Sequence, residues 1–462
     1  MSISALSWPH VFEGQRFAVL GLGQNGLPAA QTLRAMGADV IAWDDDAAKR
    51  GAAQTAGITL ARPSDSGRPD ALILSPGIPH CLPTPHPEAA VMIARGVPIL
   101  TDAELLFRAV RATGSHARFA GITGTNGKST TTALLAHIIA QAGLPVAAGG
   151  NLGPAALALP LLQDDGIYVL EMSSYMLERI ATMRFDAAVM LNLTHDHIDR
   201  HGNMGGYIAA KAAIFARQTE ADVAVIGIDD VPSCALADSI VPHPARLVRI
   251  SGHAKANIFA DRHILTDHSG AIADLSTAPA LRGTHNAQNA AAAAAMAIAL
   301  GIDRATLAPA LASFAGLPHR QKQVASVAGI DFIDDSKATN ADATARALDC
   351  FDRVIWIAGG IGKDGGIEAL TPWFNRVEHA LLIGRDAAIF AKTLAAHGVS
   401  YEIVDTLDRA VPAGFGIARQ RGIATVLLSP AAASFDQFAN YAERGKQFAT
   451  LAQSLTVPAE IH

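Results

Sequence analysis

Short apolar runs recur along this chain, each closed by glycine, proline or a polar residue and followed by a stretch with helical spacing. Near the amino terminus "RFAVLGLGQNG", "ADVIAWDDD" and "DALILSPGIP" carry this rhythm. It predicts strands alternating with helices, the βαβ arrangement of a parallel sheet. A second set begins at Phe119 and continues through "IYVLEMSS", "AAVMLNLTHDH" and "VAVIGIDD", strand-like runs that end in polar residues. The alanine-rich run from Ala290 to Leu300 predicts a buried or half-buried helix, far short of the roughly 20 residues of a membrane span. Beyond the connection "SFAGLPHRQKQV" come "VIWIAGGIGKDGG", "HALLIGRD" and "TVLLSPAAASFDQF", a third α/β set. The pattern predicts an α/β chain of three domains with boundaries near residues 106 and 316.

The length of 462 residues agrees with that organisation, at about 150 residues per domain. Hydrophobic residues make up 50% of the chain and charged residues 17%, a soluble α/β composition. A net charge of −6 without any Lys/Arg block argues against nucleic acid or an anionic membrane as the main partner. Cys81, Cys234 and Cys350 are dispersed, odd in number and without CxxC spacing, which points to a reducing cytoplasm and no structural zinc. The start, "MSISALSWPHVFEGQ", has neither a basic nor an apolar signal region, so a cytoplasmic protein is expected.

The strongest chemical signal is "RFAGITGTNGKSTTTALLAHIIAQAG". A strand through Thr123, glycines at 124 and 127, and a helix from Thr130 onward would turn backbone N–H groups toward an anion. Lys128 would bridge terminal phosphates, and Ser129 or Thr130 would offer a hydroxyl to Mg²⁺. The full Walker spacing fails because Ile122 stands where its first glycine belongs; G-x-x-G-K-S remains. A glycine turn with an incidental lysine is the bland alternative.

Gly21, Gly23 and Gly26 form G-x-G-x-x-G after a strand, with Asp44 at the end of the next strand. Too little chain precedes the phosphate loop for a full dinucleotide fold, so a half-Rossmann domain holding one nucleotide diphosphate fits better. Ser75-Pro76-Gly77 ends another strand and can close over the same ligand. Glu171 follows the apolar "IYVL" and would project from the sheet edge toward Mg²⁺. His195, His197, Asp199 and His201 resemble a zinc-hydrolase motif, but Arg200 breaks the spacing; a single histidine serving nucleotide-bound Mg²⁺ is favoured. Lys211, read alone, is an exposed helix lysine.

Together, "GITGTNGKSTTT", "GGNLG", "EMSSYMLE", "LNLTHDHIDRHG", "GTHNAQNAAAA", "GLPHR", "DDSKATNADAT" and "SPAAASFDQFANYAERGKQF" resemble the Mur ligase family over essentially the whole chain. The last two blocks resemble its D-glutamate-adding members. The resemblance implies a half-Rossmann UDP-substrate domain over residues 1–106, a central P-loop ATPase-type α/β domain over 107–316 and a carboxyl-terminal Rossmann-like, amino-acid-binding domain over 317–462. The implied reaction is ATP-dependent joining of D-glutamate to UDP-N-acetylmuramoyl-L-alanine through an acyl phosphate, in peptidoglycan precursor synthesis. Addition of another amino acid, such as L-glutamate, is the alternative. A monomer is expected.

Carried onto this chain, the resemblance places ATP on Gly124, Thr125, Asn126, Gly127, Lys128, Ser129, Thr130, Asn286, Asn289, Arg320 and Asp335. Two Mg²⁺ ions are implied, one on Ser129 and Glu171, the other on His197. Lys211 matches a lysine that is carbamylated and then offers oxygen to Mg²⁺; this requires a neutral, enclosed amine and replaces the exposed-lysine reading. Lys337 falls near the reacting phosphate. The UDP substrate is implied at Gln24, Asn25, Asp44, Ser75, Pro76, Gly77, Asn151 and His197. D-Glutamate is implied at Thr339, Lys363, Ser434, Phe435 and Tyr441. Asp45 and Asp46 depart from the expected pattern, since added negative charge beside a diphosphate is unfavourable. A nucleotide switch would not need Lys211, His197 and the third-domain lysines together, and an NAD-dependent oxidoreductase would leave the phosphate loop idle.

Overall fold

The structure, a computed structural model, describes residues 8–455 except Leu152, Pro242 and Asp364. The first apolar runs form a five-stranded sheet, wholly parallel: β1 (Arg16–Leu20), β2 (Asp39–Trp43), β3 (Thr59–Leu60), β4 (Ala71–Leu74) and β5 (Ile99–Leu100) in the order β3-β2-β1-β4-β5. Along β1, Phe17 and Val19 enter one core and Ala18 and Leu20 the other. A strand covered on both faces needs an unbroken apolar run rather than alternation, which is why "FAVL" contains no polar residue.

The second sheet contains β6 (Arg118–Thr123), β7 (Val146–Gly150), β8 (Ile167–Glu171), β9 (Ala187–Met190), β10 (Val223–Gly227), β11 (Arg246–Ser251), β12 (Ile258–Asp261), β13 (Ile264–Asp267) and β14 (Gly270–Asp274). Its order is β14-β13-β12-β11-β10-β9-β6-β8-β7, parallel from β7 to β12 and antiparallel in the β12–β13–β14 meander. The chain leaves β6 for β7 on one side, and β9 flanks β6 on the other. Such a switch point opens a crevice at the strands' carboxyl ends. The alanine-rich run lies in the helix Thr284–Ala299, buried on every side from Asn286 to Ala297; small side chains let it pack closely all round.

The third sheet contains β15 (Lys322–Val327), β16 (Ile330–Asp334), β17 (Val354–Gly359), β18 (Val377–Ile383), β19 (Tyr401–Asp405) and β20 (Thr425–Leu428). Its order is β15-β16-β20-β17-β18-β19, with only β15 antiparallel. The architecture is therefore α/β throughout, with three parallel-rich sheets.

By packing, the chain divides into two compact units. One runs through Thr277 and takes in Asn286–Ser313; the other holds Ala278–His285 and the chain from Phe314. The first two sheets share the first unit and are tied by buried polar contacts. The Glu104 carboxylate accepts backbone N–H bonds from Ala181, Thr182 and Met183 at 2.9 Å each, and Asp102 accepts from Ala156 N–H at 2.8 Å. Burial alone would raise the Glu104 pKa, but the Thr182 hydroxyl and these N–H donors outweigh it and hold it below the usual value.

Candidate active site

In the first unit the phosphate loop leaves β6 and enters the helix Lys128–Gln141. Gly124 (φ +146°) and Gly127 (φ +85°) occupy conformations that L side chains rarely adopt. A Cβ on Gly127 would also run into Asn289 Oδ1. That oxygen accepts from Thr131 Oγ1 at 3.2 Å, and Asn289 Nδ2 donates to Asn286 Oδ1 at 3.0 Å, so Asn289 packs against the loop and is hydrogen-bonded to Asn286. Asn126 N–H donates to Asn192 Oδ1 at 2.8 Å, and Thr125 Oγ1 lies 3.1 Å from Tyr207 OH. Lys128 folds back, donating to the carbonyls of Gly124 (2.9 Å) and Thr125 (2.8 Å).

Lys211, on the helix Met204–Ala212, reaches the same loop. It is 2% exposed and donates to Gly124 O at 2.8 Å, with its ammonium 4.8 Å from the centre of the Tyr207 ring. Burial, then the positive charge of Lys128, pushes its pKa well below that of an ordinary lysine. The exposed-helix reading of Lys211 taken alone is thus wrong: the helix turns this residue inward, against β6.

Glu171 ends β8 beside the loop and is 2% exposed. Oε1 accepts from Asn151 Nδ2 at 2.9 Å, whereas Oε2 is buried without a hydrogen-bond partner. An isolated buried carboxylate oxygen is costly, and a divalent cation with hard-oxygen preference would satisfy it; this position fits Mg²⁺. Among the described residues no three His, Cys, Asp or Glu side chains form a ready-made metal group, so such an ion would draw most of its shell from phosphate, hydroxyl and water. His197 opens the helix Ile198–His201 at φ +52°, half exposed, with Nε2 3.3 Å from Asp196. His201 is committed elsewhere, to Glu178 and Ser174 at 2.9 Å each.

Gln24, Asn25, Asp44, Ser75, Pro76, Gly77 and Asn151 line one groove of about 360 Å³ at the β1–β4 switch point. His197 is not among its lining residues. Asp44 accepts from Leu22 N–H (2.7 Å) and Asp46 N–H (2.9 Å); burial would raise its pKa, but these bonds and Lys49 bring it below the ordinary value. Asp45 and Asp46 do not line the groove. Asp45 pairs with His86 at 3.1 Å and accepts from Trp43 Nε1, while Asp46 caps the helix Ala47–Thr55 through Ala48 N–H. Both carboxylates are thus engaged outside the groove, and Lys49 is among the groove's lining residues.

In the second unit most candidate residues sit in loops after three adjacent strands, β16, β20 and β17, while Tyr441 begins the helix Tyr441–Ser454 and Arg320 precedes β15. Asp335 is buried, accepting from Ser429 Oγ at 2.7 Å and Gln321 N–H at 3.3 Å; burial pushes its pKa up to about 7. Lys337 Nζ donates to Tyr441 OH at 3.1 Å, which supplies the partner that hydroxyl needs. An isolated bridge pairs Ile361 with Ala433 and brings the Lys363 and Ser434 loops side by side. Ser434 is buried, whereas Phe435 is 70% exposed. Thr339 follows the Asp335–Lys337 turn in sequence, whereas Arg320 precedes β15.

A family profile described as the Mur ligase middle domain matches residues 122–297, which contain the phosphate loop, Glu171 and Lys211. The chain is 47% identical to UDP-N-acetylmuramoylalanine--D-glutamate ligase of Paramagnetospirillum magneticum, over 96% of this chain and 97% of that protein. The chain belongs to the Mur ligase family. The Rhodospirillum rubrum protein of the same name is 46% identical over 96% of this chain and 95% of its own length. Two solved Mur ligases share the fold at 18% identity. They are UDP-N-acetylmuramate-alanine ligase MurC of Thermotoga maritima (TM-score 0.59, 95% of this chain and 99% of that one) and MurF of Acinetobacter baumannii (TM-score 0.57, 79% and 87%).

Within this Mur ligase chain several supporting residues carried no signal at the level of sequence pattern. Arg444, at 1% exposure, donates to the carbonyls of Ser336 (2.9 Å), Ala432 (3.0 Å) and Gly359 (3.4 Å), tying together the three loops that carry the second unit's candidates. Its pKa is lowered to about 10, chiefly by burial, so it stays charged. Asn192 and Tyr207 carried no signal either, because their partners Asn126 and Thr125 are remote in sequence.

Proposed function

We propose that this protein joins D-glutamate to UDP-N-acetylmuramoyl-L-alanine at the expense of ATP, in peptidoglycan precursor synthesis. The observation that carries the reading is the convergence, at one sheet edge, of a phosphate loop, two lysines on Gly124 O and a buried carboxylate oxygen without a partner. The groove lined by Asp44 and Ser75 belongs to the same compact unit, and the names of the relatives agree. In this reading residues 1–106 hold the UDP substrate, 107–316 hold ATP and 317–462 hold the amino acid.

The loop N–H groups and Lys128 hold the β- and γ-phosphates, with Ser129 and Thr130 at the helix start. Asn286, Asn289, Arg320 and Asp335 are assigned to ATP, and Lys337 to the reacting phosphate. A carboxylate oxygen of the alanyl group bonds to the γ-phosphorus as the bond to ADP breaks. A poor acyl donor thereby acquires a good leaving group. The amine of D-glutamate attacks the acyl carbon, loses a proton, and phosphate departs with the former carboxylate oxygen. Mg²⁺ bound at Ser129 and Glu171, and a second ion at His197 and carbamylated Lys211, would neutralise charge on the transferring phosphoryl group. D-Glutamate carboxylates are assigned to Lys363 and to the Ser434 hydroxyl, with Thr339, Phe435 and Tyr441 completing that site. No helix among the described residues is long and apolar enough to span a membrane. In this reading the enzyme acts in the cytoplasm on nucleotide substrates, as a monomer.

The test is ADP and phosphate release with ATP, Mg²⁺ and UDP-N-acetylmuramoyl-L-alanine, adding D-glutamate, L-glutamate or diaminopimelate separately and weighing the products. Turnover confined to D-glutamate is expected. Turnover with a different amino acid would move the specificity, and none with any would overturn the ligase reading.

A further inference from the structure

The turn after β4 carries Ser75, Pro76 and Gly77 into the substrate groove, yet its carbonyls are held from the other sheet. Arg179 donates from Nη1 to the carbonyls of Leu74 (3.0 Å) and Ser75 (3.2 Å), and from Nη2 to that of Ile78 (2.7 Å). Its Nε donates to His80 Nδ1 at 3.3 Å. Nothing in the mechanism above uses this residue. Its own backbone is pinned: its carbonyl accepts from Thr101 N–H, and the peptides just beyond it donate to Glu104.

The guanidinium is buried, and among the described residues no carboxylate lies within ion-pair distance of it. A buried cation hydrogen-bonded to carbonyls and an imidazole, with the Glu178 charge acting on it from beyond ion-pair distance, is an uncommon arrangement. Burial lowers Arg179 to about 10 and, acting first again, lowers His80 to about 4. The arginine therefore stays a cation and the histidine a neutral acceptor. A rigid planar fork can reach acceptors spread along a turn, which a lysine point charge cannot do.

We propose that Arg179 is a positioning residue for the UDP-bearing substrate, holding the Ser75–Ile78 turn in its groove-lining conformation from the segment that begins at Glu171. This rests on the ligase reading above. Through that short segment, the turn that meets the nucleotide and the carboxylate assigned to Mg²⁺ share one anchor.

The test compares wild type, R179M and R179K in the full chain. The readouts are the Kd for UDP-N-acetylmuramoyl-L-alanine by calorimetry without ATP, KM for each substrate, kcat and Tm. For R179M the Kd and KM of the UDP substrate rise about tenfold or more, as expected for losing a charge-assisted contact, while KM for ATP and for D-glutamate stay within about twofold. R179K falls between wild type and R179M. An unchanged UDP-substrate Kd in R179M, or a parallel rise of all three KM values with a falling Tm, overturns the proposal. If R179M does not fold, a wild-type Kd in R179K overturns it. Wild-type protein that neither binds nor turns over the UDP substrate would remove the ligase reading itself, which an unaltered R179M would leave standing.

Discussion

Replacing Lys211 by arginine separates two roles that the native side chain can combine. As an amine it donates to Gly124 O at 2.8 Å; as a carbamate it would present oxygens to Mg²⁺. Arginine keeps the charge and the donors but does not give up its proton in a protein, so the second role is lost. Carbamate formation consumes the neutral amine. With an ordinary lysine value of 10.5, about one amine in a thousand is neutral near pH 7.5. Burial and the neighbouring Lys128 push Lys211 well below that value, and the neutral fraction grows tenfold for each pH unit of lowering. Removing one preorganised electrostatic group beside the reacting phosphate costs about 3–4 kcal/mol, or roughly 10²–10³ in kcat. Fitting arginine into a closed site costs a further ~1–3 kcal/mol of stability, so Tm is recorded alongside. The assay is steady-state phosphate release at saturating substrates, in CO2-stripped buffer and again with bicarbonate. The wild-type rate is expected to depend on bicarbonate and the K211R rate to be low and indifferent to it. A folded K211R within about twofold of the wild-type kcat would refute the reasoning, since no term of that size could then belong to a carbamate.

Other consequences follow from single contacts. Gly127→Ala places a Cβ against Asn289 Oδ1 at a positive φ, so KM for ATP should rise while the UDP-substrate Kd, read by calorimetry, holds. The Asp335 value lies near 7 in the fold, above its ordinary 3.8; its contribution to stability is therefore full below about pH 3.8 and lost as pH rises toward 7. Melting curves should show D335N with a smaller loss of Tm between pH 5 and pH 8 than wild type. Asp46→Ala removes a helix cap and should cost about 1 kcal/mol by denaturant unfolding, leaving KM for the UDP substrate near wild type; a marked fall in that KM would mean that Asp46 does repel the ligand.

The phosphate loop was legible because its chemistry is local: glycines at positive φ, a strand before and a helix after all fall within one short stretch. Asp44 and Glu171 were legible for a related reason, as polar residues closing apolar strands. Local pattern could not reveal the burial of Lys211, which depends on a helix being turned onto β6, or the grip of Arg179 and Arg444 on carbonyls far away in the chain. Nor could proximity in sequence show where Asp45 and Asp46 point. Adjacent residues after a strand point in different directions, so only Asp44 faces the groove while Asp46 turns to the next helix. The positions proposed for D-glutamate came entirely from resemblance, since a threonine, a lysine, a serine and two aromatics on separate segments form no pattern until β16, β20 and β17 bring those segments together.

The central claim, that ATP activates the substrate carboxylate itself, is tested most directly by labelling both oxygens of that carboxylate with ¹⁸O. After turnover with ATP, Mg²⁺ and D-glutamate, the account predicts one ¹⁸O in each phosphate released and a nucleotide product heavier by one glutamyl residue with one ¹⁸O retained. Phosphate free of label, formed alongside that same product, would contradict it.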